Sequence, residues 1–233
     1  MTEAEWLAAT DPGPMLDAAG GRMSGRKLRL FAVACCRRTW PLLTDPRTRA
    51  AVEFLDRHAD AGPARRRGFP AARRGAGDAY RALAAERDRP GPVPLDGQAL
   101  AEARALAAYG VAGVSDPAQV GWVAVYLAGA AGCAAPGRKE DATRAERAAQ
   151  AGLLRCLLGD PSRPAACDPS WRTEAVVGLA RGMYESRDFA PMPVLADAIE
   201  DAGCTDPDVL AHCRGPSPHV RGCWVVDLVL GKG

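Results

Sequence analysis

The residues best placed to do chemistry lie close together near the C-terminus: Cys204, His212, Cys213, His219 and Cys223 fall within twenty positions. Zinc takes four nitrogen or sulfur ligands in a tetrahedron, so two thiolates and two imidazoles, or three thiolates and one imidazole, are sufficient chemistry. If residues 219–230 form a helix, His219 and Cys223 stand four apart on one face and supply half a site. Cys204 with Cys213, or with His212, supplies the other half across a turn. The resulting candidate set, Cys204, Cys213, His219 and Cys223, has an eight-residue gap where zinc motifs usually keep two to four. The competing expectation is packing, with the cysteines as small core residues and the histidines bonding carbonyls at helix ends.

Other constellations are weaker. Cys35 and Cys36 are adjacent, so their side chains diverge on a helix and cannot bridge. Arg37 and Arg38 beside them would lower a thiol pKa. Ser217, His219 and Asp227 supply the letters of a catalytic triad, but without a nucleophile elbow or a geometry that brings hydroxyl to imidazole. Gly75-Ala76-Gly77 has no strand before it and no Gly-Lys-Ser/Thr after it, which excludes a phosphate loop. Arg65, Arg66, Arg67, Arg73 and Arg74, with Phe69 among them, pair phosphate-binding cations with one stacking aromatic, the pattern of a single-strand nucleic-acid contact. The glycines and prolines of 62–77 favour a flexible linker instead. No active site assembles, so the expectation is a non-catalytic protein, with zinc as its only candidate cofactor.

These residues need a scaffold, and the composition points to helices. The 233 residues include 47 alanines, one isoleucine (Ile199) and no asparagine, and 27 of the 30 basic residues are arginine. Such a chain lacks the β-branched and aromatic material for a large sheet and is rich in helix formers. The expected fold is all-α, a globular domain of eight to ten short helices ending in a helical hairpin. Caps mark the starts: Thr2-x-x-Glu5, whose short helix stops near Asp11-Pro12, then Ser24, Thr44-Asp45-Pro46, Ser115-Asp116-Pro117 and Ser217-Pro218. Helices are expected at 26–39, 45–58, 78–87, 98–108, 117–137, 140–158, 173–186, 193–202, 206–213 and 219–230. The organisation expected is N-terminal helices 1–61, a flexible basic loop 62–77, central Ala-rich helices 78–158 and a C-terminal region 159–233, packed as one unit overall. Asp227, set among Val225, Val226, Leu228 and Val229, should be buried and tied to an arginine such as Arg221 or Arg181.

Net charge is +2, unevenly spread: residues 22–104 carry 18 basic against nine acidic side chains, whereas 156–233 carry seven against eleven. Residues 117–137 are free of charge and long enough on paper to cross a bilayer, yet they are mostly Ala and Gly. Ala124, Ala128 and Gly132 recur every fourth residue, a small face that suits close packing of a buried helix. The acidic N-terminus has no basic start or apolar run of a signal peptide, so reduced thiols and a cytoplasmic setting are expected.

Residues 194–203, Val-Leu-Ala-Asp-Ala-Ile-Glu-Asp-Ala-Gly, followed by Leu210-Ala211-His212-Cys213-Arg214, resemble the repeat-companion helical hairpin of bacterial proteins. Residues 2–16, 26–38 and 215–231 look like the flanks of a bacterial helical family built around that hairpin. The resemblance covers the first 60 and last 80 residues. It implies a domain that accompanies repeat and signalling modules without catalytic residues of its own, and another protein as partner.

Overall fold

The computed structural model describes residues 1–61, 68–89, 95–113, 119–135, 137–163, 166–216 and 218–232. Among them are twelve α-helices and no strand. The all-α expectation therefore holds, with a somewhat higher count than eight to ten. The helices are α1 Glu3–Ala8, α2 Pro12–Ala19, α3 Gly25–Arg38, α4 Pro46–Arg57, α5 Phe69–Arg87, α6 Leu95–Gly113, α7 Val120–Cys133, α8 Lys139–Leu158, α9 Glu174–Ser186, α10 Met192–Asp201, α11 Pro207–Arg214 and α12 Trp224–Leu230.

The caps start the helices where the sequence places them. Thr2 and Glu5 exchange hydrogen bonds (Thr2 N–H to Glu5 Oε2, 2.7 Å), and Ser24, Asp45, Thr173 and Asp206 each accept an N–H from the first turn of the next helix. Asp11-Pro12, expected only as a stop, also opens α2. Asp11 accepts the Gly13 N–H at 2.9 Å, and the proline occupies the first turn, where its missing donor costs nothing.

The chain divides into two compact units, residues 9–151 and residues 152–233 together with 1–8. The boundary falls inside α8 rather than in the connector after Leu158. In the 9–151 unit, α5, α6 and α7 pack in succession, with α4 against α5 and α3 against α4 and α7. Helix α3 is buried almost all round, from Arg29 to Cys36. The small face of α7 works as a seat for α8. Ala124 and Ala128 are buried, the Ala124 carbonyl accepts Gln150 Nε2–H at 3.2 Å, and a Cβ on Gly132 would collide with Thr143 and the Lys139 carbonyl. No helix among the described residues is long and apolar enough to cross a membrane.

The expected flexible loop is mostly helix. Residues 69–77 belong to α5, while Arg65, Arg66 and Arg67 lie outside the described residues, as do 90–94 and the expected caps Ser115 and Ser217. Glycine inside a helix costs about 1 kcal/mol relative to alanine, and packing outweighs it here. Ala76 and Ala79 are fully buried, and Phe69 meets Phe54 edge-on at 5.7 Å. Gly68 is where it must be, since a Cβ there would sit 2.3 Å from the Phe54 ring.

In the other unit, α9 to α12 enclose Val176, Met183, Leu195, Ile199, Val209, Val225, Val226 and Val229. Helices α10 and α11 form the expected hairpin, turned at Gly203 (φ +96°) with Gly203 N–H and Cys204 N–H capping the end of α10. Trp6 of α1 is buried in this unit, its indole N–H donating to the Gly159 carbonyl at 2.9 Å. Phe31, Leu154 and Leu195 are fully buried, while Leu28, Phe54 and Trp224 keep some exposure.

Candidate metal centre

Four side chains of the 152–233 unit converge: Cys156, His212, His219 and Cys223. Cys156 comes from the inner face of α8, flanked by buried Leu153, Leu154 and Leu157. His212 stands in the last turn of α11, whose start is fixed by Asp206 accepting the Asp208 and Val209 N–H groups. His219 and Cys223 belong to the turn ahead of α12. That turn is closed by the Cys223 N–H to the Val220 carbonyl at 2.8 Å and by Gly222 at φ +89°, a conformation other residues rarely take.

The expected helical spacing of His219 and Cys223 is therefore corrected. Helix α12 begins only at Trp224, with Cys223 as its cap residue. A tight turn, not a shared helix face, brings the two side chains together. The ligand set changes as well. Cys204 and Cys213 fall outside the converging group; both are buried in the core of this unit, at 2% and 1% exposure. Burial pushes the Cys213 thiol up to about 12, and it raises Cys204 too, so both suit the neutral packing role.

One ligand atom from each of the four residues lies within 4.8 Å of all the others. A zinc tetrahedron with bonds of about 2.0–2.3 Å has edges of roughly 3.3–3.8 Å, so modest side-chain rotations close the gap. His212 Nε2 is already 3.2 Å from Cys223 Sγ, and the two imidazoles meet edge to face at 4.9 Å. Neither ring nitrogen of His219, though buried, has a hydrogen-bond partner of good geometry. The residue as a whole is half-buried, and its ring engages the Cys223 sulfur.

The electrostatics favour a metal-ready thiolate. Burial raises the Cys223 thiol, but hydrogen bonds from Cys156, His212 and His219, with the charge of His212, outweigh it and hold it well below the ordinary thiol range. The sulfur is fully buried. His212 and Trp224 also line a cleft of about 480 Å³ together with Arg155, Asp160 and Asp206.

The remaining candidates separate cleanly. Cys35 and Cys36 are fully buried, and desolvation drives Cys35 well above the ordinary thiol value and Cys36 to about 12. The arginines expected to activate them are engaged elsewhere. Arg38 forks onto Glu146 at 3.0 and 3.0–3.1 Å, and Arg37 pairs with Asp56 and lies over the Trp40 ring. Of the triad letters, Ser217 lies outside the described residues, His219 turns to the cysteines, and Asp227 is buried on α12. Phe69, the expected stacking aromatic, is consumed by packing against Phe54, while Arg73 and Arg74 are exposed on α5. Nothing in the spacing marks Cys156, which is 56 residues ahead of His212; its only signal is a cysteine on the apolar stripe of α8.

Comparisons of the chain with protein-family models, with curated proteins and with solved structures give no match.

Proposed function

We propose that the 152–233 unit is a zinc module in which Cys156, His212, His219 and Cys223 bind one ion, and that the protein is a non-catalytic interaction module stapled by that ion. The observation that carries this reading is the convergence of four nitrogen and sulfur donors within 4.8 Å, drawn from α8, α11 and the turn before α12. Four protein ligands fill a tetrahedron and leave no position for substrate, which is the structural rather than the catalytic type of site. An ion there ties three separate segments together, so the binding energy becomes folding energy for this unit.

The resemblance of the α10–α11 hairpin to the repeat-companion hairpin supports the interaction role, since α10 and α11 carry exposed faces joined by Arg214 bridging Asp197 and Glu200. A thiol-dependent activity at Cys223 is the rival: the 3.2 Å contact to His212 is what a thiolate–imidazole pair requires. Full burial of that sulfur gives a substrate no route to it.

Cobalt substitution tests the reading. Cobalt bound at a Cys₂His₂ site gives a thiolate charge-transfer band in the near ultraviolet and intense tetrahedral visible bands. We expect both in the full chain, weakened in Cys156→Ser and Cys223→Ser and unchanged in Cys204→Ser and Cys213→Ser. Bands lost in Cys204→Ser but kept in Cys156→Ser would overturn the ligand set. An absence of bands in the unsubstituted protein would overturn the metal.

A further inference from the structure

The 9–151 unit displays an aromatic face that is partly open to solvent. Trp122 on α7 is 62% exposed, more than any other large hydrophobic side chain among the described residues, and Tyr109 and Val125 beside it are 41% and 44% exposed. The rings form a connected set from three helices. Tyr80 of α5 meets Tyr109 of α6 at 4.9 Å, Tyr109 meets Tyr126 of α7 edge-on at 4.5 Å, and Trp122 lies 6.3 Å from Tyr126 at a 34° tilt. Tyr126 and Tyr109 thus brace the platform from behind while the indole stays open. Trp122, Tyr126, Tyr109, Gln119 and Arg73 line one groove of about 410 Å³, within the range of small-ligand sites. Exposed aromatic surface of this kind is costly in water and marks contact sites.

Charge selects the occupant. Residues 9–151 carry 22 basic and 15 acidic side chains, a net +7, against −5 for the rest of the chain. Arg73, at the lip of the groove, is exposed and makes no ion pair among the described residues. A cationic ligand is disfavoured by that arginine and by the net positive charge of the unit. A polyanion with flat π faces satisfies both features. We propose that this face binds single-stranded nucleic acid, with a base stacked on Trp122 and a backbone phosphate paired to Arg73.

The site is distinct from the loop contact expected from sequence: only Arg73 is common to the two, and Phe69 takes no part. Stacking is sequence-tolerant, because every base offers a π face, whereas a duplex hides its bases from an isolated indole. The inference does not depend on zinc, since no proposed ligand belongs to residues 9–151.

The experiment is fluorescence anisotropy of the full chain with a labelled ten-nucleotide oligo(dT), a matching duplex as competitor, and two salt concentrations. We expect salt-dependent binding of the single strand and weaker binding of the duplex. Trp122→Ala should lose affinity by about 5- to 150-fold, the range for one base–aromatic stack, and Trp122→Phe should retain most of it. Arg73→Gln should reduce the log–log salt slope by about 0.7, one phosphate contact. Val194→Ala, an exposed residue of the other unit, should bind as the parent does. Trp122→Ala binding like the parent, or a duplex binding as tightly as the strand, would overturn the proposal. So would sedimentation showing that the unliganded protein self-associates through Trp122, which would assign the face to a second copy.

Discussion

Gly132→Ala turns the packing of α7 against α8 into a number. A methyl at this position would meet the Lys139 carbonyl at 2.8 Å and lie still closer to Thr143 Oγ1. The carbonyl belongs to the backbone of α8 and cannot swing aside as a side-chain tip would. Overpacking of this kind costs about 1–3 kcal/mol. Replacing a helical glycine by alanine returns up to about 1 kcal/mol of backbone entropy and propensity. The net is a destabilisation of roughly 1–2 kcal/mol, or a fall of about 2–8 °C in Tm for a protein of this size. Gly178, in the exposed middle of α9, is the internal control: nothing lies within 4 Å of its Cβ position. Gly178→Ala receives only the propensity gain and should be stabilised by about 0.5–1 kcal/mol. Urea and thermal unfolding followed by circular dichroism read both variants. Two substitutions of identical chemistry should shift stability in opposite directions. If Gly132→Ala matches or exceeds the parent, α7 and α8 do not pack as described.

Asp45 caps α4 and forks onto Arg47, whose hydrogen bond holds the Asp45 carboxyl below its usual range. A depressed carboxylate stabilises above its unfolded pKa and loses that contribution as pH falls through the folded one. Asp45→Ala should therefore cost about 0.5–2 kcal/mol at neutral pH. The gap from the parent should close in acid, and a pH-independent gap in urea melts would contradict the cap. Of the eight cysteines only Cys167 is not buried, so native labelling with a maleimide should show one fast thiol, replaced by none in Cys167→Ser. Burial raises Cys167 as well, so its rate should climb with pH through the alkaline range. Rapid labelling of Cys36 or Cys213, both held near 12, would refute their burial.

What the sequence disclosed follows from how local each signal is. Caps are decided within four residues, and the Thr2–Glu5 box, Ser24 and Asp45 all behave as their spacing requires. The first half of α5, residues 69–77, is hidden because Gly75 and Gly77 argue against a helix locally, and only burial of Ala76 and Ala79 against neighbouring helices reverses that. The start of α12 was misplaced for a related reason: the Val220–Cys223 turn needs a positive φ that Gly222 supplies, and an apolar run alone does not show it. Of the candidate metal centre, His219 and Cys223 belong to the expected set, and His212 stood as the alternative to Cys213. His212, His219 and Cys223 are neighbours in sequence, so any compact C-terminus gathers them. Cys156 arrives by tertiary packing of α8, and no spacing rule could join it to residues more than fifty positions away. Cys204 and Cys213 were attractive by sequence proximity, yet their side chains are spent on the hydrophobic core.

X-ray absorption at the zinc edge on the full chain reads the proposed Cys₂His₂ zinc centre at Cys156, His212, His219 and Cys223 without an intermediary. We expect one bound zinc with two sulfur neighbours at about 2.3 Å and two nitrogen neighbours at about 2.0–2.1 Å. We also expect Cys204→Ser and Cys213→Ser to leave that shell intact. A protein that holds no zinc after reconstitution would contradict the proposal, as would a shell dominated by oxygen or containing three or more sulfurs.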